Sequence, residues 1–264
     1  MNKELLISII TVNYNDAEGL ERTIQSVQPQ TYTNFEHIII DGDSCDGSKE
    51  VIEKHQNSFS YWISESDSGI YNAMNKGIKV AKGEYLLFLN SGDYFAENNV
   101  LEQFIASRPI EDIIFGDVWI TGRQESPIYK KMPEVLDATK CLQFTITHQA
   151  IFHKKELFID KRYDEKYLII ADWVFYNKAI LIDKASYKHL NFPIAIYDGT
   201  GMSSDDLLLK NREKERVLFL KEIAPFVIEE LLRNKGNVVS NVKPKRFIFR
   251  LAKKIDIILI KLGL

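Results

Sequence analysis

The chain has 264 residues, 45% of them hydrophobic and 27% charged, with a formal net charge of −3. That length can bury a sizeable core as one large α/β domain with a small appendage, and the composition is that of a folded protein. A charge so close to balance does not suggest nucleic acid as the partner of the whole chain. The two cysteines, Cys45 and Cys141, show neither metal-ligand spacing nor a disulfide framework and fit a reducing cytoplasm. The N-terminal MNKELLISIITVNYN has an apolar run too short for a secretory signal and no small-residue cleavage site, so it reads as a first strand. No stretch is long and apolar enough for a transmembrane helix.

In chain order, Leu5 to Val12 is a β-branched apolar run, followed by Asp16 to Val27 with Leu20, Ile24 and Val27 at helical spacing and Asp16 as N-cap. Phe35 to Ile40 is the next strand and ends at Asp41-Gly42-Asp43. Ser48 or Asp46 can cap a helix running toward His55. Ser60 to Ser64 is a short strand, and Gly69 to Ala81 a helix that stops at Gly83. Glu84 to Leu89 is apolar enough for a strand buried on both faces, and it breaks off at Asn90-Ser91-Gly92-Asp93. This alternation implies a mostly parallel, right-handed sheet with helices on both faces.

Past Asp93 the pattern loosens. Val100 to Ile105 reads as helix and Ile113 to Ile120 as strand, while Gly122 to Ala138, broken by Pro127 and Pro133, reads as an active-site loop or flap. Phe144 to Phe152 reads as extended, Ala171 to Ile182 as helix and Ala185 to Ile196 as strand. A glycine-rich loop follows from Tyr197 to Ser203, then two helices, Asp205 to Glu222 and Pro225 to Asn234. The expected division is 1–205 as the main domain, with halves 1–120 and 121–205, and 206–264 as a helical C-terminal region.

Three strand ends in the first half carry polar groups: Thr11, Asn13 and Asn15; Asp41 and Asp43; Ser91 and Asp93. Open α/β sheets bind ligands at the carboxyl ends of their strands, so these groups should converge on one rim. Carboxylates and amides gathered there suit a nucleotide, with a carboxylate-bound cation against a diphosphate. Taken singly, each residue reads better as turn chemistry; the three strand ends together favour a site.

The ordered segments SIITVNYN, IIIDGDSCDGS and GIYNAMNKGIKVAKGEYLLFLNSGD resemble the family 2 glycosyltransferases with the GT-A fold, closest to bacterial enzymes that build surface polysaccharide. The resemblance is strong over residues 5–120 and weaker to about 205. It implies that Thr11, Asn13, Tyr14 and Asn15 line the nucleotide pocket and that Asp41 contacts the base, with Asp43 beside it. It places Asp67, Asn72, Asn75 and Lys76 on a signature helix of the donor site, Lys76 within reach of a phosphate. The family's metal-binding DXD motif reads here Ser91-Gly92-Asp93, so Asp93 alone is left to hold Mg²⁺ or Mn²⁺; one carboxylate suffices for a cation that keeps waters and phosphate oxygens. The family's catalytic base starts a helix in the second half, which points to Asp172 in Ala171-Asp172-Trp173, with N-capping as its plainer role. His148, Gln149 and Trp173 are assigned contact with the acceptor or donor sugar. The loop Gly199 to Ser204 resembles a segment that closes over donor and metal.

The C-terminal stretch from Arg233 has nine Lys/Arg against one acidic residue, Asp256. Phe247, Ile248, Leu251, Ile255, Ile258, Leu259 and Leu262 can form an apolar face flanked by Lys253, Lys254 and Lys261, the composition of a helix lying in an anionic membrane surface. The alternative is a helix docked on its own domain or on a homodimer partner. Together these features imply a metal-dependent inverting glycosyltransferase on the cytoplasmic face of the inner membrane, using a nucleoside diphosphate sugar, UDP-linked, and a lipid-linked glycan acceptor. The rivals are a nucleotidyltransferase, whose glycine-rich basic loop TVNYNDAEG lacks, and a nucleotide-sugar-binding protein without catalysis.

Overall fold

A computed structural model describes residues 4–122, 124–199 and 206–233. Strand β1 (Ile7–Asn13), helix α1 (Ala17–Val27), β2 (Phe35–Asp41), α2 (Ser48–His55), β3 (Tyr61–Ser64), α3 (Ile70–Val80) and β4 (Tyr85–Phe88) follow the expected alternation. These four strands lie side by side in the order β3-β2-β1-β4, every pair parallel. All seven residues of β1 are buried, as a strand covered on both faces requires. On one face Ile39 of β2 meets Leu20 and Ile24 of α1 and Ile52 of α2; Ile38 and Ile40 belong to the larger core on the other. Helix α3 lies close on the sheet because Gly77 has no Cβ, which would come 2.5 Å from Cγ2 of Ile10. The start of α1 is capped as expected, Asp16 accepting from the backbone N–H of Gly19 at 3.0 Å.

The second half extends the same sheet with mixed polarity. After β5 (Tyr94–Phe95) and α4 (Val100–Ala106) come β6 (Ile113–Thr121), β7 (Ile128–Lys130), α5 (Ala138–Gln143), β8 (Ile151–Lys154), α6 (Ala171–Leu181), β9 (Tyr187–Asp198) and α7 (Asp206–Arg233). Strand β8 inserts antiparallel between β4 and β6, β9 runs parallel to β6, and β5 closes the order antiparallel to β9.

Three expectations change here. Residues 122–138 are not all loop, because β7 forms a hairpin with β6. Buried Asp117 pins that hairpin at a register shift in β6, accepting from Tyr129 Oη at 2.5 Å, Met132 N at 2.8 Å and His189 Nε2 at 2.8 Å. Residues 144–152 are extended only in part, since His148–Ala150 form a 3₁₀ turn before β8. The two C-terminal helices are one: α7 runs on through Pro225, and before the proline Phe219 packs it against Trp173 of α6.

Helix α6 is apolar all round, with nine of its 11 residues buried and only Asp172 and Lys178 outside that set. Phe175 stacks on Phe158 at 4.4 Å, and the rings of Tyr163, His153 and Phe88 surround the pair. Each such ring pair adds about 1 kcal/mol beyond its area. This aromatic block sets α6 against β4 and β8 and so presents its first turn to the rim of the parallel strands. The described residues contain no helix long and apolar enough to cross a membrane. The basic stretch 234–264 and the loop 200–205 lie outside the described residues.

Candidate active site

The rim is built first by strand register. Asn13 and Asp41 end β1 and β2 opposite each other, and Asp41 is paired in turn with Ser64 at the end of β3. Asp41 is fully buried and accepts from Asn13 Nδ2 at 2.7 Å, Ser44 N at 3.0 Å, Ser44 Oγ at 2.6 Å and Ser64 Oγ at 2.6 Å. Burial pushes its carboxyl up, but these hydrogen bonds outweigh burial and hold it below the ordinary carboxylate range. Asn15, at a φ of 49°, ties the same loop down through its N–H to Ser44 Oγ and its Oδ1 to Cys45 N. Tyr14 is 68% exposed and borders Gly42, as does Asp67, which also accepts from Gly69 N at 2.8 Å.

The end of β4 approaches this loop from the other side. Ser91 N bonds to Val12 O at 3.0 Å, and Gly92, at a φ of 90°, faces Asp16: a Cβ at position 92 would lie 3.4 Å from Asp16 Oδ2. Asp93 is 8% exposed and accepts from Gln149 Nε2 at 3.2 Å. Burial, opposed by His148 and Gln149, raises its carboxyl to about 6.

The second half meets it through one imidazole. His148 lies between two carboxylates, its Nδ1 3.3 Å from Asp172 Oδ2 and its Nε2 3.9 Å from Asp93 Oδ2. Asn90 Nδ2 is 2.8 Å from Nε2, so in the neutral ring the proton sits on Nδ1 and points at Asp172. Burial alone would lower His148; the hydrogen bond and charge of Asp172, and then Asp93, raise it above the ordinary value. The other oxygen of Asp172 accepts from Tyr71 Oη at 2.8 Å. Burial pushes Asp172 up, and His148 and Tyr71 more than reverse this, leaving it low and ionised. Asp172 sits in the first turn of α6 rather than at its N-cap, which is Ile170.

Several expected contacts have other partners in this structure. Thr11 is fully buried against His37 Nε2 at 2.9 Å, and Asp43 turns outward to Lys49 at 2.7 Å. Asn72 and Asn75 hold Glu165, and Asn75 also bonds Tyr163 in both directions, so these residues join α3 to the second half. Lys76 binds Ser66 O and Glu65. Trp173 was expected to face the sugars; it is 1% exposed, with Nε1 on Phe144 O, because the core side of α6 takes the large ring. Sequence reading missed Tyr71, Asn90, Ser44 and Ser64. Ser64 could have been found by applying the strand-end rule to β3 as well.

For a divalent cation, no group of three or more His, Cys, Asp or Glu forms a ready cage among the described residues. Asp93, with Asp16 across Gly92 and the buried, unpartnered amide oxygens of Asn90 and Gln149 beside it, is nevertheless an all-oxygen set. That chemistry fits Mg²⁺ or Mn²⁺ held by few protein ligands together with diphosphate oxygens.

The pattern described as Glycosyl transferase family 2 matches residues 8–181. An uncharacterized glycosyltransferase of Mycobacterium tuberculosis is 35% identical over 185 residues, 67% of this chain and 69% of that protein. A PGL/p-HBAD biosynthesis glycosyltransferase of Mycobacterium bovis is 28% identical over 253 residues, 91% of this chain and 95% of that protein. The Escherichia coli UDP-Glc:alpha-D-GlcNAc-diphosphoundecaprenol beta-1,3-glucosyltransferase WfaP is 34% identical over 131 residues, 46% of this chain and 52% of its own. Among solved structures, S. aureus TarS in complex with UDP-GlcNAc superposes with a TM-score of 0.64 at 18% identity, covering 95% of this chain and 80% of that one. The Pyrobaculum calidifontis mannosyltransferase PcManGT with GDP-Man and Mn²⁺ gives 0.63 at 12% identity, covering 98% and 87%. The match over residues 8–181 and the 35% identity to the Mycobacterium tuberculosis glycosyltransferase, with the likeness to TarS and PcManGT in fold, show that this protein belongs to glycosyl transferase family 2 and has the GT-A fold.

Proposed function

We propose that the protein is an inverting glycosyltransferase that moves a sugar from a UDP-linked donor to a hydroxyl of a lipid-linked or growing surface glycan. The observation that carries this is His148, whose ring stands between Asp93, just past the end of β4, and Asp172 in the first turn of α6. Asp172 is ionised and largely enclosed but not sealed off, so it can take the acceptor hydroxyl proton as that oxygen attacks the anomeric carbon. The bond from that carbon to the diphosphate breaks, and its electron pair leaves with the nucleotide. Tyr71 and His148 fix the carboxylate's orientation and spread the charge it carries. Asn13, Asp41 and Asn15 keep the nucleotide side of the rim in shape, with Tyr14 exposed above it. Asp93, with Asp16 beside it, would hold the divalent cation, which supplies Lewis-acid stabilisation of the leaving diphosphate when bound.

The UDP assignment draws on the TarS complex, the lipid-linked acceptor on WfaP, and cation use on the PcManGT complex. The composition of 234–264, basic and rich in large apolar residues, supports attachment to an anionic membrane surface at its cytoplasmic face. A thermal-shift screen of UDP-glucose, UDP-GlcNAc and GDP-mannose with Mg²⁺ and Mn²⁺ tests the donor, because a ligand that binds the native state raises Tm. Asp172→Ala should keep that rise and lose transfer by about 1,000-fold, whereas Asp93→Ala should lose the cation-dependent part of the rise. No shift with any donor, or normal turnover in both variants, would refute the proposal.

A further inference from the structure

The turn that delivers Asp172 has no cap of its own. The N-cap of α6 is Ile170, whose side chain cannot accept a hydrogen bond, and the first helical bond is Val174 N to Ile170 O. The free N–H groups just before the helix converge on one carboxylate from far along the chain. Glu215 Oε1 accepts from Leu168 N at 2.8 Å, and its Oε2 accepts from Ile169 N at 3.0 Å and Ile170 N at 3.2 Å. A negative charge at a helix N-terminus is also favoured by the helix dipole.

Glu215 is itself held firmly. Around it on α7, Phe219 packs edge-on against Trp173 at 5.1 Å, and Arg216 lies over the same ring at 5.1 Å while its Nη2 bonds Thr145 Oγ1 at 3.0 Å. One turn further, Glu222 accepts from Tyr167 Oη at 3.0 Å and pairs with Lys178 at 2.6 Å. So α7 grips both sides of the segment 167–173. Residue 215 lies beyond the span 8–181 that the family pattern matches, so no family motif assigns it a role.

We propose that Glu215 is a positioning residue for sugar transfer: by holding the N–H groups of residues 168–170 it sets where the Asp172 carboxylate stands. This rests on Asp172 being the base. Positioning is costly to lose, since a displacement of about 1 Å can cost about 100-fold in rate.

The test uses the full chain and the variants Glu215→Ala, Glu215→Gln and Lys214→Ala, the last an exposed neighbour on α7. Release of nucleoside diphosphate from UDP-glucose, UDP-GlcNAc or GDP-mannose with Mn²⁺ should fall about 100-fold in kcat for Glu215→Ala, with donor KM unchanged. Glu215→Gln, which keeps one acceptor oxygen, should recover part of the loss, and Lys214→Ala should match wild type. Without any ligand, the His148 imidazole resonances should move in Glu215→Ala and stay in place in Lys214→Ala, because Asp172 moves away from Nδ1. Unmoved resonances with unchanged kcat overturn the proposal. So does an equal fall of kcat, donor affinity and Tm in both Glu215 variants, which marks simple fold support. A dead Asp172→Ala beside a fully active Glu215→Ala sinks only the role of Glu215; an active Asp172→Ala sinks the base reading and this role with it.

Discussion

Asp41 and Asp172 are both enclosed carboxylates held ionised, yet their surroundings differ in kind. Asp41 is surrounded by neutral donors, one amide, two hydroxyls and a backbone N–H, from the ends of adjacent parallel strands and the loop after β2. Its acceptor sites are used up, which suits a group that keeps a rim in shape. Asp172 is held by Tyr71 and His148, and His148, a base, faces a second carboxylate in turn. A carboxylate placed so can exchange a proton. The side proposed to face the nucleotide is therefore a saturated network of neutral donors, and the side proposed to face the acceptor is a charge-coupled one assembled from α3, the 148–150 turn and α6.

That contrast can be broken first at Asp41. Asp41→Ala leaves the buried polar groups of Asn13, Ser44 and Ser64 short of an acceptor, and should cost about 3 kcal/mol in urea unfolding and weaken donor binding. Because the folded-state carboxyl is lowered, its stabilising contribution is present at neutral pH and fades as pH falls through that lowered value. A variant as stable as wild type would show that the network on this side is not what holds the rim.

Tyr71→Phe probes the other side more gently. Burial, and then the Asp172 charge, raise the Tyr71 phenol well above its ordinary value, so it stays protonated and donates. Its loss removes one hydrogen bond to a charged group, and kcat should fall roughly 10-fold with donor-induced Tm shifts retained. Steady-state kinetics beside a melting curve decide it; a parallel loss of donor binding would show that the two sides are not separable.

A third effect is read on stability rather than on rate: a difference in acid sensitivity. His153 lies beneath the acceptor side among the rings of Phe88, Phe158 and Phe175, and burial pushes it down to about 4. The unfolded chain takes up that proton near 6.5 and the folded chain only near 4, so stability drops as pH falls between the two. From pH 7 to pH 5 this amounts to about 2 kcal/mol, which His153→Phe should abolish in paired urea titrations. An unchanged pH slope in the variant would mean that other groups carry the acid sensitivity.

The alternation of β1 to β4 with α1 to α3 was legible because each strand is a short run ended by Asn, Asp, Ser or Gly, α1 has its Asp16 cap and α3 a glycine just past its end; α2 instead starts at Gly47 with no side-chain cap, against the expected Ser48 or Asp46. The rim residues Asn13, Asp41 and Asp93 follow from the same rule, since parallel strands bring their carboxyl ends to one edge. The choice of Asp172 came from the resemblance to family 2 glycosyltransferases, which implies a carboxylate at the start of a helix in the second half, where Asp172 stands in the first turn of α6. The neighbours that make it useful were not legible. Tyr71 lies 101 residues away, and Glu215 reaches back 45 to 47 residues to the turn before α6. No local spacing encodes those approaches.

Periodicity and turn chemistry act over a few residues, so the chain's own order is enough to specify the parallel half and the polar character of its edge. Which side chains surround the two carboxylates depends on how β8 inserts beside β4, how the aromatic block seats α6, and where α7 comes to rest. Those are packing outcomes of the whole core, and only the assembled sheet and helices decide them.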